Sequence, residues 1–152
     1  KSKIAIKNNI KKNKNVNNLK FFEYDINDQF NFPKIDKKNK ILYARFFLHS
    51  LKNEEIKNFV YLSNKILKKK ERIFLEYRSV KDKKKNKIFR SHYRNFLNPT
   101  SIKKLFSLNS FRLIYFIQGR GFAKYKNEDA HVVRQIFEKK WFLKTKLKAI
   151  KN

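Results

Sequence analysis

Apolar positions along this chain fall into short dense runs separated by lysine- and asparagine-rich stretches, and the spacing within each run predicts its element. "SKIAIKNNIKKNK" (2–14) is weakly helical, with Ile6 and Ile10 on one side. "NLKFFEYD" (18–25) reads as a strand closing on an acidic residue, and "QFNFPKIDKKNK" (29–40) as a polar connection containing a proline. "KILYARFF" (40–47) reads as a strand whose apolar run is too continuous for a half-exposed sheet. Residues 53–69 form the clearest helix. Ile56, Phe59, Val60, Ile66 and Leu67 make one apolar face, Asn53 stands where a cap belongs, and Glu54 and Glu55 sit at the positive end. "RIFLEYRSV" (72–80) is a further strand, followed by the lysine-rich loop "KDKKKNK" (81–87). Asn98 and Pro99 suit the cap and first turn of a short helix with Ile102, Leu105 and Phe106 inward. Residues 111–125 and 131–139 read as two strands in an antiparallel hairpin across "KNEDA", and the chain from Lys140 is a basic tail.

The order helix, strand, strand, helix, strand, helix, strand, strand predicts an α/β fold. The expected sheet is mostly parallel, covered by helices on both faces, with a C-terminal antiparallel hairpin. There is no internal repeat and no Pro- or Gly-rich linker, so residues 1–140 are expected to form one domain and 141–152 a tail.

Composition narrows the classes. With 16 Phe, 7 Tyr and 1 Trp in 152 residues the chain has enough apolar material for a core. It has no Cys, so disulfides and thiolate metal sites are excluded. No apolar run reaches the roughly 18 residues of a membrane span, and no signal-peptide pattern opens the sequence. A soluble cytoplasmic protein is the expectation. The net charge of +28 has two readings. Lys is scattered over every element beside abundant Asn, Ile and Phe, the pattern of an AT-rich genome; a charge this large also binds polyanions at low salt.

Chemistry-bearing residues cluster at strand ends. Arg45 and His49 interrupt the apolar run at the end of the 40–47 strand; Glu76, Arg78 and Ser79 end the 72–80 strand; His92, Tyr93 and Arg94 follow in the next connection. In open α/β sheets, ligands bind beyond the carboxyl ends of the strands. His49 has the ordinary pKa of a general base, and Arg78 and Arg94 have the forked geometry that holds anions. The structural alternatives are a His49 that only supports the following helix and an Arg–Glu network around Glu76. The three histidines are far apart in sequence, and there is no P-loop, HExxH or nucleophile elbow, so no metal site is expected.

Four segments in this order resemble the second half of the class I S-adenosylmethionine-dependent methyltransferases: "SKIAIKNN", "FFEYDIND", "YARFFLHSL" and "FLEYRSVKD". "SHYRNFLNP" and "GRGFAKYKNEDAHVVRQIFEK" are similar to a bacterial branch acting on small-molecule or glycan-type acceptors. The resemblance spans roughly residues 1 to 140. It implies a Rossmann-like sheet in the order 3-2-1-4-5-7-6 and S-adenosyl-L-methionine as cofactor. Asp25 would accept from the adenine amino group and Ile26 pack on the ring, while Ala44 and Arg45 would border the methionine end. His49 would be the base facing the acceptor, and Arg78, His92, Tyr93 and Arg94 would bind it. The family's glycine-rich cofactor loop has no counterpart, since the only glycines are Gly119 and Gly121. The expectation is a C-terminal portion of a longer protein, short of two strands and a helix. The rival expectations are a basic nucleic-acid-binding module, an RNA or DNA methyltransferase, and a methyltransferase-like fold that only binds a partner.

Overall fold

A computed structural model describes residues 3–28, 31–33, 35, 38–83 and 93–141. The chain divides into two compact units, Lys1–Lys37 and Lys38–Asn152. In the first, helix α1 spans Lys3–Lys12 and buries none of its residues. The expected strand at 18–25 does not form. Its flanks are rich in Asn and Asp, and those side chains compete for the backbone. Asp25 Oδ1 accepts from the Asn27 N–H at 3.0 Å, and Asp28 takes both the backbone and side-chain N–H of Asn31. Such Asx turns end an extended run before it can pair.

The second unit holds strands β1 (Ile41–Arg45) and β2 (Arg72–Arg78), helices α2 (Asn53–Ile66) and α3 (Pro99–Leu108), and four more strands. These are β3 (Phe111–Gly119), β4 (Lys124–Tyr125), β5 (Glu128–Asp129) and β6 (Val132–Lys139). β4 and β5 form a small ladder of their own within the β3–β6 connection. The main sheet has the order β1-β2-β6-β3.

This overturns the mostly parallel, Rossmann-like sheet expected from the alternation of elements. Only β1 and β2 are parallel; β6 runs antiparallel to both β2 and β3, which makes the sheet mixed. The cause lies in the connections. A helix carries the chain back between β1 and β2, whereas the hairpin reverses it before β6, and β6 inserts beside β2. Helices on both faces are not seen either. Gln135 of β6 donates to the Pro99 carbonyl at the start of α3, and Phe106 of α3 stacks on Phe137 of β6 at 4.4 Å. Lys139, on the same side of β6, is bonded to Asn64 of α2. Both helices therefore cover one face, and among the described residues of this unit no helix covers the other.

Strand alternation explains which face is packed. Ala44, Ile73, Leu75, Tyr77, Val133 and Phe137 are buried toward the helices, and the Tyr77 hydroxyl donates to Gln135 Oε1 at 2.7 Å. β3 carries one extra residue, Ile114, as a bulge between Leu113 and Tyr115.

Helix caps follow local chemistry. Asn98 Oδ1 accepts from the Thr100 N–H at 2.9 Å, the cap expected before Pro99. α2 departs from expectation: Lys52 is its cap residue, and Glu55 reaches back to the Lys52 N–H at 2.7 Å. Asn53 is instead the first helical residue, tied to Asn95. No helix among the described residues is long and apolar enough to cross a membrane.

Candidate functional site

The carboxyl ends of β1 and β2 lie side by side, with Arg45 opposite Glu76. Glu76, nearly buried, accepts from Arg45 Nε at 2.9 Å and from Arg134 Nε at 2.6 Å. The guanidinium that breaks the apolar run is thus neutralised across the sheet, and the Arg–Glu network around Glu76 exists. The Ala44 methyl points into the core beside it. Past Arg45 the chain turns sharply: Phe46 takes a left-handed φ of 51°, unusual for an aromatic residue, and its N–H donates to the Glu76 carbonyl at 2.7 Å.

A 3₁₀ turn, Leu48–Ser50, then delivers His49. The imidazole is buried against the edge of the Phe46 ring, and its Nδ1 accepts from the Arg78 N–H at 3.4 Å. Burial, then the nearby Arg78 and Arg94 charges, lowers its pKa to about 4. His49 is therefore neutral near pH 7, and with Nδ1 facing a donor its Nε2 carries the hydrogen. Its carbonyl accepts from the Asn95 N–H, while the Asn95 side chain donates to Leu51 O and Asn53 Oδ1. These bonds fix residues 93–97 beside the strand ends. Tyr93 there is exposed and Arg94 half-buried. His92 lies outside the described residues.

On the other side of β2, the end of the strand meets the β3–β6 connection. Arg78 Nη1 is shared by Asp82, at 3.0 Å, and Glu128. Asp82, almost wholly buried, also accepts from the His131 N–H at 3.1 Å and lies 3.7 Å from Arg120. Ser79 Oγ is 2.7 Å from His131 Nδ1, and accepts from the Lys81 N–H at 3.2 Å. Burial, then Lys81 and Arg120, lowers the His131 pKa. Gly121, at φ 82°, turns the connection so that its N–H reaches Asp129 Oδ1. Arg134 anchors the same loop through the Phe122 carbonyl.

Two neutral imidazoles thus flank the last residues of β2. Of the residues expected to act together, Arg45, His49 and Arg78 are brought to one sheet end, with Tyr93 and Arg94 on the adjoining loop. Asp25 and Ile26 belong to the first unit, where Asp25 closes a turn. Ser79 was expected at this strand end, but sequence reasoning missed Asp82, Arg120, Glu128 and His131 as its neighbours. The signal available was scarcity: with 12 acids against 40 Lys and Arg, an acid close to a strand end stands out. Among the described residues no three His, Asp or Glu side chains gather as a metal site.

Ala44 is turned into the core, the Asp25 carboxylate serves a turn, and the chain has no glycine-rich loop. Neither a protein-family model nor a curated protein sequence matches the chain.

Proposed function

We propose that this chain supplies the acceptor side of an S-adenosylmethionine-dependent methyl transfer to a small-molecule or glycan-type acceptor, in a cytoplasmic setting. The observation that carries the reading is the gathering of Arg45, His49, Arg78, Ser79 and His131 at the carboxyl ends of the sheet's one parallel pair. That is where open α/β sheets bind ligands.

In this reading the chain's own groups position the acceptor. Arg78, fixed by two carboxylates, is a rigid donor, and Tyr93 and Arg94 adjoin the strand ends with His92 on the same loop. His49 donates from Nε2. His131, partly exposed and held at Nδ1 by Ser79, is the imidazole better placed to take a proton from an acceptor hydroxyl. S-adenosylmethionine would supply the methyl group, and the role of Asp25 toward its adenine belongs to the same proposal.

The test is calorimetric titration of S-adenosylhomocysteine into the full-length protein, beside an Asp25→Ala variant. Micromolar binding by the parent and at least about tenfold weaker binding by the variant, one lost hydrogen bond to a ligand, is the expected result. A folded protein that takes up no S-adenosylhomocysteine overturns the reading.

A further inference from the structure

The sheet face turned away from α2 and α3 carries an ordered pattern of which the methyl-transfer reading uses only Arg45. Pairing register sets its side chains in three rows. Arg45, Glu76 and Arg134 form one charged row, and Arg72, Glu138 and Arg112 form another. Between them lies an apolar row of Tyr43, Phe74, Ile136 and Tyr115. In each charged row one carboxylate holds two guanidiniums: Glu138 takes Arg112 at 2.6 Å and Arg72 at 3.4 Å, as Glu76 takes Arg45 and Arg134. Each row keeps a net positive charge. The Arg45, Arg72 and Arg112 side chains remain more than half exposed.

The middle row is open. Tyr43 is 65% exposed and Tyr115 46%, and a groove of about 260 Å³ runs between them over Phe74 and Ile136. Successive rows are about 7 Å apart, two strand residues. We infer that this face is a docking surface for single-stranded nucleic acid, with bases stacked on Tyr43 and Tyr115 and phosphates on the flanking arginines.

Charge decides the class of partner. Apolar protein laid on this face would strand four guanidiniums at a dry interface with two carboxylates among them, which is costly. A second copy would set like charge against like. An anionic partner that also offers flat apolar surfaces meets both rows at once, and the chain's +28 draws it in. A duplex hides its bases in its own stack; a single strand presents them, and aromatic platforms flanked by basic groups recognise it. The inference does not rest on the methyl-transfer reading, since Tyr43 and Tyr115 take no part in it.

The test is fluorescence anisotropy with labelled dodecamers of uridylate and thymidylate, against a duplex of equal length and heparin. Tyr43→Ala and Tyr115→Ala are the variants, both exposed sites, with folding checked by circular dichroism. The expected result is single-strand binding that weakens with salt and is about 5- to 100-fold weaker in each variant, while heparin binding is unchanged. Binding of the single strand that both variants leave intact overturns the inference, because charge alone then accounts for it. It is equally overturned if no oligonucleotide binds, and a dimer in sedimentation that Tyr43→Ala dissociates would then assign the face to a second copy.

Discussion

At His49, burial and two neighbouring guanidiniums favour the uncharged ring, and the linkage has a definite sign. The folded pKa, about 4, lies below the ordinary 6.5, so between these values the unfolded chain binds the extra proton. Stability from this group is complete above pH 6.5 and falls as pH drops toward 4, by about 3 kcal/mol over the window. Urea unfolding at pH 7 and pH 4.5 should show that slope, and His49→Asn should flatten it. An equal slope in the variant would place the proton uptake elsewhere. The sequence made His49 and Arg45 conspicuous as polar interruptions of an apolar run, but not their partners. Arg45 meets Glu76 because β1 and β2 pair in a register that brings residues 31 apart together. Asp25 shows the opposite limit. An acidic residue at the end of an apolar run has the same local pattern in a ligand site and in a turn, and here it bonds the backbone two residues on.

Among elements, those with a local cause were legible. The Asn98–Pro99 start of α3 and the Ile56, Phe59 and Val60 face of α2 need only their own residues, and both are present, although α2 ends at Ile66, three residues short of the expected 53–69. The 18–25 run failed because strand formation needs a neighbour, and the flanking Asn and Asp side chains offered the backbone another partner. The β3–β6 connection was legible as a hairpin and illegible as a strap. Its acids look like turn formers in the sequence, yet Glu128 grips Arg78, and Asp82, in the 3₁₀ turn Val80–Asp82 that follows β2, holds the His131 N–H. Asp82→Ala should therefore cost about 3 kcal/mol in urea unfolding, since it leaves Arg78 and the His131 amide short of a buried partner. Asp82→Asn, which can still accept from the amide, should cost less. Equal losses would assign the whole effect to charge.

For the molecule as a whole, the excess of positive charge is spread along the chain, while four of the 12 acids, Glu71, Glu76, Asp82 and Glu138, are buried and all meet cations. The remaining cations repel one another. Added salt should then raise the melting temperature, by about 3 °C or more between 10 mM and 0.3 M sodium chloride, as screening relieves the repulsion. A fall would show that the exposed ion pairs outweigh it. The mixed order of the sheet was not legible, because alternation of elements does not report beside which neighbour each strand lies. That order has its own consequence at the margins. Among the described residues the sheet ends on β1 and on β3, and the Ile114 bulge interrupts the regular spacing of amides along β3. One margin is thus a poor template for another chain, and the other is five residues of regular backbone. Of the main sheet's two margins, β1 is therefore the one that a strand from another molecule can extend. Two such margins pair with each other, so growth of the main sheet by that route stops at a pair.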